Sequence, residues 1–184
     1  SKLFFNATDA TIGTELFYYD GTNVTGIDIY TGSTGSGSST YLNNSYPYSF
    51  TVYNSVLYFQ ARDATYGTEL WGYDATNGAR LIKDIAPGSY TSGSSTYKHS
   101  SNPNNLTVFD NKLYFSAEDG YNVTGRAGGE LWYYDGNNAG RAADIYSGSS
   151  GSYPYEFFAT ADKMYFRAQG KSTGNEPYIL TSKD

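Results

Sequence analysis

Four phases of sequence recur along the chain at a period near 54 residues, so any fold must place them in equivalent positions. The first is an apolar and aromatic run: KLFFNA from Lys2, VLYFQA from Val56, KLYFSA from Lys112 and KMYFRA from Lys163. Its residues Leu3, Leu57, Leu113 and Met164 are spaced by 54, 56 and 51. The second begins on a glutamate: ELFYYD from Glu15, ELWGYD from Glu69, ELWYYD from Glu130 and the altered EPYILT from Glu176. The third ends in Asp-Ile at Asp28-Ile29, Asp84-Ile85 and Asp144-Ile145, each time followed by a Gly/Ser/Thr-rich tract. The fourth is Pro-led, from Tyr46, Asn102 and Tyr153, and runs directly into the next first-phase segment.

Each phase has the length and the aromatic and β-branched content of a strand, and Asp-Gly, Asn-Gly and Pro-Gly turns separate them. Fourteen strands follow, with no helical period. The expected fold is all-β: a β-propeller-like array of four-stranded antiparallel repeats, three full units and a terminal hairpin, as a closed ring or an open stack. Residues 1–184 form one repeat-built domain, with units at about 2–55, 56–111 and 112–162 and a half unit at 163–184. Pro177 stands where the other copies have Leu, which places the last strand at a sheet edge. The tracts 31–40 and 89–96 are expected to be loops or linkers.

Composition removes most catalytic chemistries. The chain of 184 residues has no Cys and one His, so thiolate metal sites, redox pairs and His-dependent triads lack their parts. Twelve basic against 18 acidic residues give a net charge of −6, which repels phosphate backbones, so nucleic acid is not an expected partner. No apolar stretch is long enough for a membrane span, and no signal peptide is evident. Twenty-one Tyr, 10 Phe and 2 Trp supply enough apolar surface for an ordered core.

ELWGYDATNGARLIKDIAPGS (69–89) and ELWYYDGNN (130–138), with the preceding Asp and the LYF strand of NKLYFSAEDG (111–120), resemble the ELWxxDGT repeat family of large secreted and surface proteins. The resemblance covers essentially the whole chain. Phe17 replaces the Trp in the first copy, Asp74-Ala75 replaces Asp-Gly in the second, and the fourth copy keeps little of the motif. The resemblance implies a propeller-like repeat architecture and an extracellular address, and it implies no established enzyme activity.

Three sets of residues are candidate sites. Asp9 with Glu15, Asp63 with Glu69, and Asp119 with Glu130 offer oxygens for calcium, or else cap turns. Trp71, Trp132, Tyr73 and Tyr133 are core anchors or sugar-stacking platforms. Asn6, Asn23, Asn43, Asn105 and Asn122 open Asn-X-Ser/Thr sequons for covalent glycans. Tyr41, Tyr46, Tyr90, Tyr97 and Tyr153, in expected loops, are candidates for contact with a neighbouring subunit or glycan, and His99 for a solvated loop position. Together these point to a non-enzymatic, tyrosine-rich extracellular glycoprotein, structural or adhesive, that assembles with copies of itself into a filament or surface array. A carbohydrate-binding, lectin-like propeller is the alternative.

Overall fold

The computed structural model describes residues 2–36, 39–120 and 128–182. The described residues are all-β, with 18 strands in six sheets, every pairing antiparallel and no helix. Sheet 1 holds β1 (Leu3–Asp9), β2 (Gly13–Tyr19) and β3 (Val24–Ile27), and a hairpin of β4 (Ser33–Ser36) and β5 (Ser39–Leu42) follows. Sheet 2 holds β6 (Tyr48–Tyr53), β7 (Val56–Asp63), β8 (Gly67–Asp74) and β9 (Gly78–Lys83), followed by a hairpin of β10 (Ser89–Ser92) and β11 (Ser95–Lys98). Sheet 3 holds β12 (Asn104–Phe109), β13 (Lys112–Glu118), β14 (Gly129–Tyr134) and β15 (Ala139–Ala143). Sheet 4 holds β16 (Tyr155–Ala159), β17 (Lys163–Gly170) and β18 (Gly174–Thr181), and Pro177, in register with Arg167 of β17, lies on β18 at the sheet edge.

Three differences from the sequence expectation stand out. The Gly/Ser/Thr tracts expected to be linkers fold into the antiparallel pairs β4–β5 and β10–β11, the second with Tyr90 opposite Tyr97. The half unit at 163–184 is not a lone hairpin, since β16 completes a three-stranded sheet with it. Each Pro-led strand also pairs with the strand that follows it, so a sheet starts at the Pro-led segment, one strand earlier than the repeat units begin.

The Pro-led strands share an irregularity. Each carries a β-bulge, between Tyr48 and Thr51, Asn104 and Thr107, and Tyr155 and Phe158, with Ser49, Asn105 and Glu156 in the left-handed region at φ 60, 56 and 55°. One extra residue bends the strand at the same point of each sheet.

Consecutive sheets pack face to face, and each contact is a separate core. Leu16 of sheet 1 packs with Leu57, Phe59, Ala61 and Trp71 of sheet 2. Leu70, Tyr58 and Tyr53 of sheet 2 pack with Leu113, Phe115, Ala117 and Trp132 of sheet 3. Leu131, Tyr114 and Phe109 of sheet 3 pack with Met164, Phe166 and Ala168 of sheet 4. The strand period of two explains the pattern: in β7 and β13, Leu, Phe and Ala face the preceding sheet while the intervening Tyr faces the next. Fully burying Phe59 or Phe115 contributes roughly 2–3 kcal/mol apiece. Among the described residues, sheets 1 and 4 share no core, and no barrel or propeller ring closes.

Candidate functional site: a buried carboxylate at each junction between sheets

Glu15, Glu69 and Glu130 start the second-phase strands, and their side chains are completely buried. A buried charge demands partners, and all three find the same set. In sheet 2, Glu69 Oε2 accepts from the Ile85 amide at 2.7 Å and from the Ser101 hydroxyl at 2.6 Å, and Oε1 accepts from the Ser101 amide at 3.1 Å. In sheet 1, Glu15 accepts from the Ile29 and Ser45 amides, both at 2.9 Å, and from the Ser45 hydroxyl. In sheet 3, Glu130 accepts from the Ile145 amide at 2.9 Å, the Ser152 amide at 3.0 Å and the Ser152 hydroxyl at 2.7 Å, with the Tyr146 amide at 3.3 Å as well.

The arrangement ties three pieces of chain together. The isoleucine belongs to the Asp-Ile turn of the same unit, and the serine begins the Pro-led segment of the next sheet. That serine's carbonyl then accepts from the next first-phase strand, at Arg62, Glu118 and Gln169 for Ser45, Ser101 and Ser152. The glycine two residues before each of these glutamates makes the approach close. At Gly13, Gly67 and Gly128 a Cβ would lie 2.3 Å from the Asn43 carbonyl oxygen, 2.2 Å from that of His99 and 2.8 Å from the Gly151 nitrogen. All three glycines have positive φ, at 85, 81 and 72°. In sheet 4 the equivalent Glu176 is exposed and Gly174 has open space around it.

The aspartates paired with these glutamates in sequence do not join them. Asp9 Oδ1 accepts from the Thr11 amide at 2.7 Å and from its hydroxyl, and Asp63 Oδ1 accepts from the Thr65 and Tyr66 amides at 3.0 and 2.7 Å. They are turn caps, while Glu15 and Glu69 point their oxygens into the junction. Asp119 lies beside Arg141, at 3.6 Å. No three described His, Asp or Glu residues converge as a metal-binding group.

Burial pushes the Glu69 carboxyl up to about 7, against the downward pull of the Ser101 hydroxyl and the Ile85 and Ser101 amides. Burial raises Glu15 and Glu130 as well. A folded-state value raised above the unfolded 4.5 stabilises the protein fully below that pH, and the contribution disappears as pH rises through the folded value. For Glu69 the difference is about 3 kcal/mol. The turn caps act oppositely. Hydrogen bonds from the Thr11 hydroxyl and amide hold Asp9 below the usual carboxylate value of 3.8, and backbone amides do the same for Asp20 and Asp135. Their stabilisation is present above 3.8 and is lost as pH falls through their folded values. The melting temperature should therefore peak at roughly pH 4–5.5 and fall toward pH 8. Circular dichroism melts across that range check this. In Glu69→Gln the fall should be shallower, and a flat or rising profile from pH 5 to 8 in the native chain contradicts it.

Trp71 and Trp132 are core residues, buried between sheets with indole nitrogens that have no hydrogen-bond acceptor, so neither presents a face to a sugar. Tyr73 packs edge-on to Phe4 at 5.3 Å, and the Tyr133 ring lies 5.3 Å from the Lys112 ammonium. The loop tyrosines of the sequence reading are indeed exposed, although Tyr41, Tyr90 and Tyr97 sit on hairpin strands. Tyr90 and Tyr97 stack across their hairpin at 5.6 Å, and His99 lies 5.5 Å from Tyr90. A cleft of about 500 Å³ separates β1, β6 and β12, lined by Phe4, Phe5, Tyr48 and Phe50 among others.

The sequons are not equivalent. Asn43 is 9% exposed and its amide donates to the Thr31 carbonyl at 2.9 Å. The amides of Asn6 and Asn105 donate to the Pro47 and Pro154 carbonyls at 3.2 and 3.4 Å. Asn23 lies exposed in the turn before β3, with its backbone held by Asp20. Asn122 lies outside the described residues. Expressed through a glycosylating secretory pathway, the chain should carry a glycan at Asn23 and none at Asn43, as peptide mapping by mass spectrometry will read. Occupancy at Asn43 with Asn23 bare contradicts that ranking.

Sequence reasoning missed Ser45, Ser101 and Ser152, although a signal is present: each stands two residues before the proline of its Pro-led segment. No family model matches the chain, and no curated protein or solved structure is found to be similar to it. No helix among the described residues is long and apolar enough to cross a membrane.

Proposed function

We propose that the chain is a non-enzymatic structural or adhesive protein of an extracellular surface, a propeller-like array of ELWxxDGT-type repeats in an open stack that assembles with its own copies and carries N-linked glycans. One observation carries this reading. The carboxylates that repeat with the motif are turned into the junctions between sheets or spent on capping turns, and the exposed side chains include the aromatic rings of Tyr41, Tyr46, Tyr48, Tyr90 and Tyr153. A repeated buried glutamate serves the architecture, where a catalytic pair needs access to substrate. Exposed aromatic side chains supply large contact areas at low entropic cost, as assembly surfaces require.

Sedimentation velocity and negative-stain microscopy of the purified protein test the proposal. Concentration-dependent oligomers or filaments support it, and a strictly monomeric particle at all concentrations removes the assembly claim. Carbohydrate binding is the second reading, favoured by the stacked, half-exposed pair Tyr90 and Tyr97. Glycan-array binding that Tyr90→Ala abolishes while the fold is retained would select it.

A further inference from the structure

The two terminal sheets each carry a straight row of exposed apolar side chains, and inside the molecule the same two rows meet each other. On sheet 1 the row is Leu3, Tyr19 and Val24, aligned across β1, β2 and β3 by register and 65%, 41% and 61% exposed. The equivalent row of sheet 2 starts with Leu57 and Tyr73, which pack on the preceding sheet. Leu57 is 6% exposed, and Tyr73 lies 5.3 Å from Phe4 and 6.4 Å from Tyr18. Sheet 3 repeats the arrangement with Leu113, completely buried, and Tyr134, 5.5 Å from Tyr58.

The receiving row is equally regular. Phe4 and Tyr18 are register partners on sheet 1, and Tyr114 and Tyr133 on sheet 3, and each pair supports the Leu–Tyr row or its equivalent from the next sheet. On sheet 4 the equivalent row is Phe158, Tyr165 and Ile179, aligned across β16, β17 and β18 and 66%, 39% and 58% exposed. Among the described residues, sheets 1 and 4 thus each show a half of the internal interface that no other sheet covers.

We propose that the Leu3–Tyr19–Val24 row of one copy docks on the Phe158–Tyr165–Ile179 row of a second copy, continuing between chains the sheet-on-sheet packing seen within one. The inference rests on the self-assembly reading and gives it a geometry. The two surfaces differ, so the contact is heterologous, and each added copy exposes a fresh row for the next. The charged neighbours of Tyr165 on its face of sheet 4, Lys163 and Arg167, are already ion-paired with Asp162 and Glu156 at 3.4 and 3.7 Å, so docking buries no lone charge. The product is a filament whose axis follows the succession of sheets.

Two charge-blocked variants and their mixture test it by sedimentation velocity. Leu3→Glu with Val24→Glu blocks one end, and Phe158→Glu with Ile179→Glu blocks the other. The four positions are more than half exposed in the single chain, so both variants should keep the melting curve of the native monomer. Each variant alone is expected to sediment as a monomer, and an equimolar mixture as a dimer that grows no further. Hydrogen exchange on the unaltered chain gives a second readout, with β1 and β18 gaining protection on assembly. If the native chain assembles while the variants assemble equally well, or their mixture stays monomeric, the docking is wrong and self-assembly survives. If the native chain itself never associates, the self-assembly reading falls with it.

Discussion

Glu69→Ala should lower the unfolding free energy by about 3–5 kcal/mol, and Glu176→Ala by less than about 0.5 kcal/mol, although both remove the glutamate of the same motif. The difference comes from what each carboxylate holds. Removing the Glu69 side chain leaves the Ile85 amide and the Ser101 hydroxyl facing a buried space without their acceptor, at about 1–3 kcal/mol for each orphaned group. The lost side chain adds a cavity term, because the surrounding strands relax only in part. Glu176 is exposed, so water replaces anything it loses. Urea denaturation at about pH 6 measures both. Equal, small effects would mean that the junction is held by the apolar cores alone and that the carboxylate contributes little.

The second large effect concerns the backbone. Gly67→Ala places a methyl group 2.2 Å from the His99 carbonyl oxygen at φ +81°, so it combines a steric clash with a left-handed conformation that L-residues resist. The conformational part costs about 1–2 kcal/mol and the overlap about 1–3 kcal/mol more. Gly174→Ala meets only the conformational part, since nothing lies near its Cβ. Thermal melts should show Gly67→Ala losing two to three times as much stability as Gly174→Ala. Equal losses would show that the following segment does not press on the strand start in solution.

Both predictions concern the joint between one sheet and the next, which is the part of the fold least visible in sequence. The strands were legible because their apolar and aromatic residues alternate at a period of two, and Pro177 marked an edge because it lacks an amide proton. The hairpins at 33–42 and 89–98 were not. Their Ser, Thr and Gly content matches a flexible tract as well as a strand, and the cross-strand pairing, including the Tyr90–Tyr97 contact, decides between them. The glutamates were singled out, but a carboxylate beside a turn reads as a surface group until the chain that buries it is placed. Ser101 lies 32 residues from Glu69, and no local pattern links a hydroxyl to an acceptor at that distance.

The grouping of strands was hidden for a related reason. A period fixes the repeat length without fixing where a unit begins, and the Pro-led segment fits either end of it. The short Asn54-Ser55 turn joins β6 to β7, and both residues have positive φ, which suits a tight hairpin. Trp71 and Trp132, expected as core anchors or sugar-stacking platforms, are covered by the neighbouring sheet.

A density map of the assembled protein, at a resolution that separates strands, tests most directly the claim that these sheets stack in one continuous order. At each boundary between copies, sheet 4 and the next sheet 1 should lie at the spacing of about 10 Å found for packed sheets, with Tyr19 set against Tyr165 and Ile179 as Tyr73 is set against Phe4 and Tyr18. A map in which the Leu3 row and the Phe158 row both face solvent, while copies touch through the hairpins or elsewhere, would contradict the account.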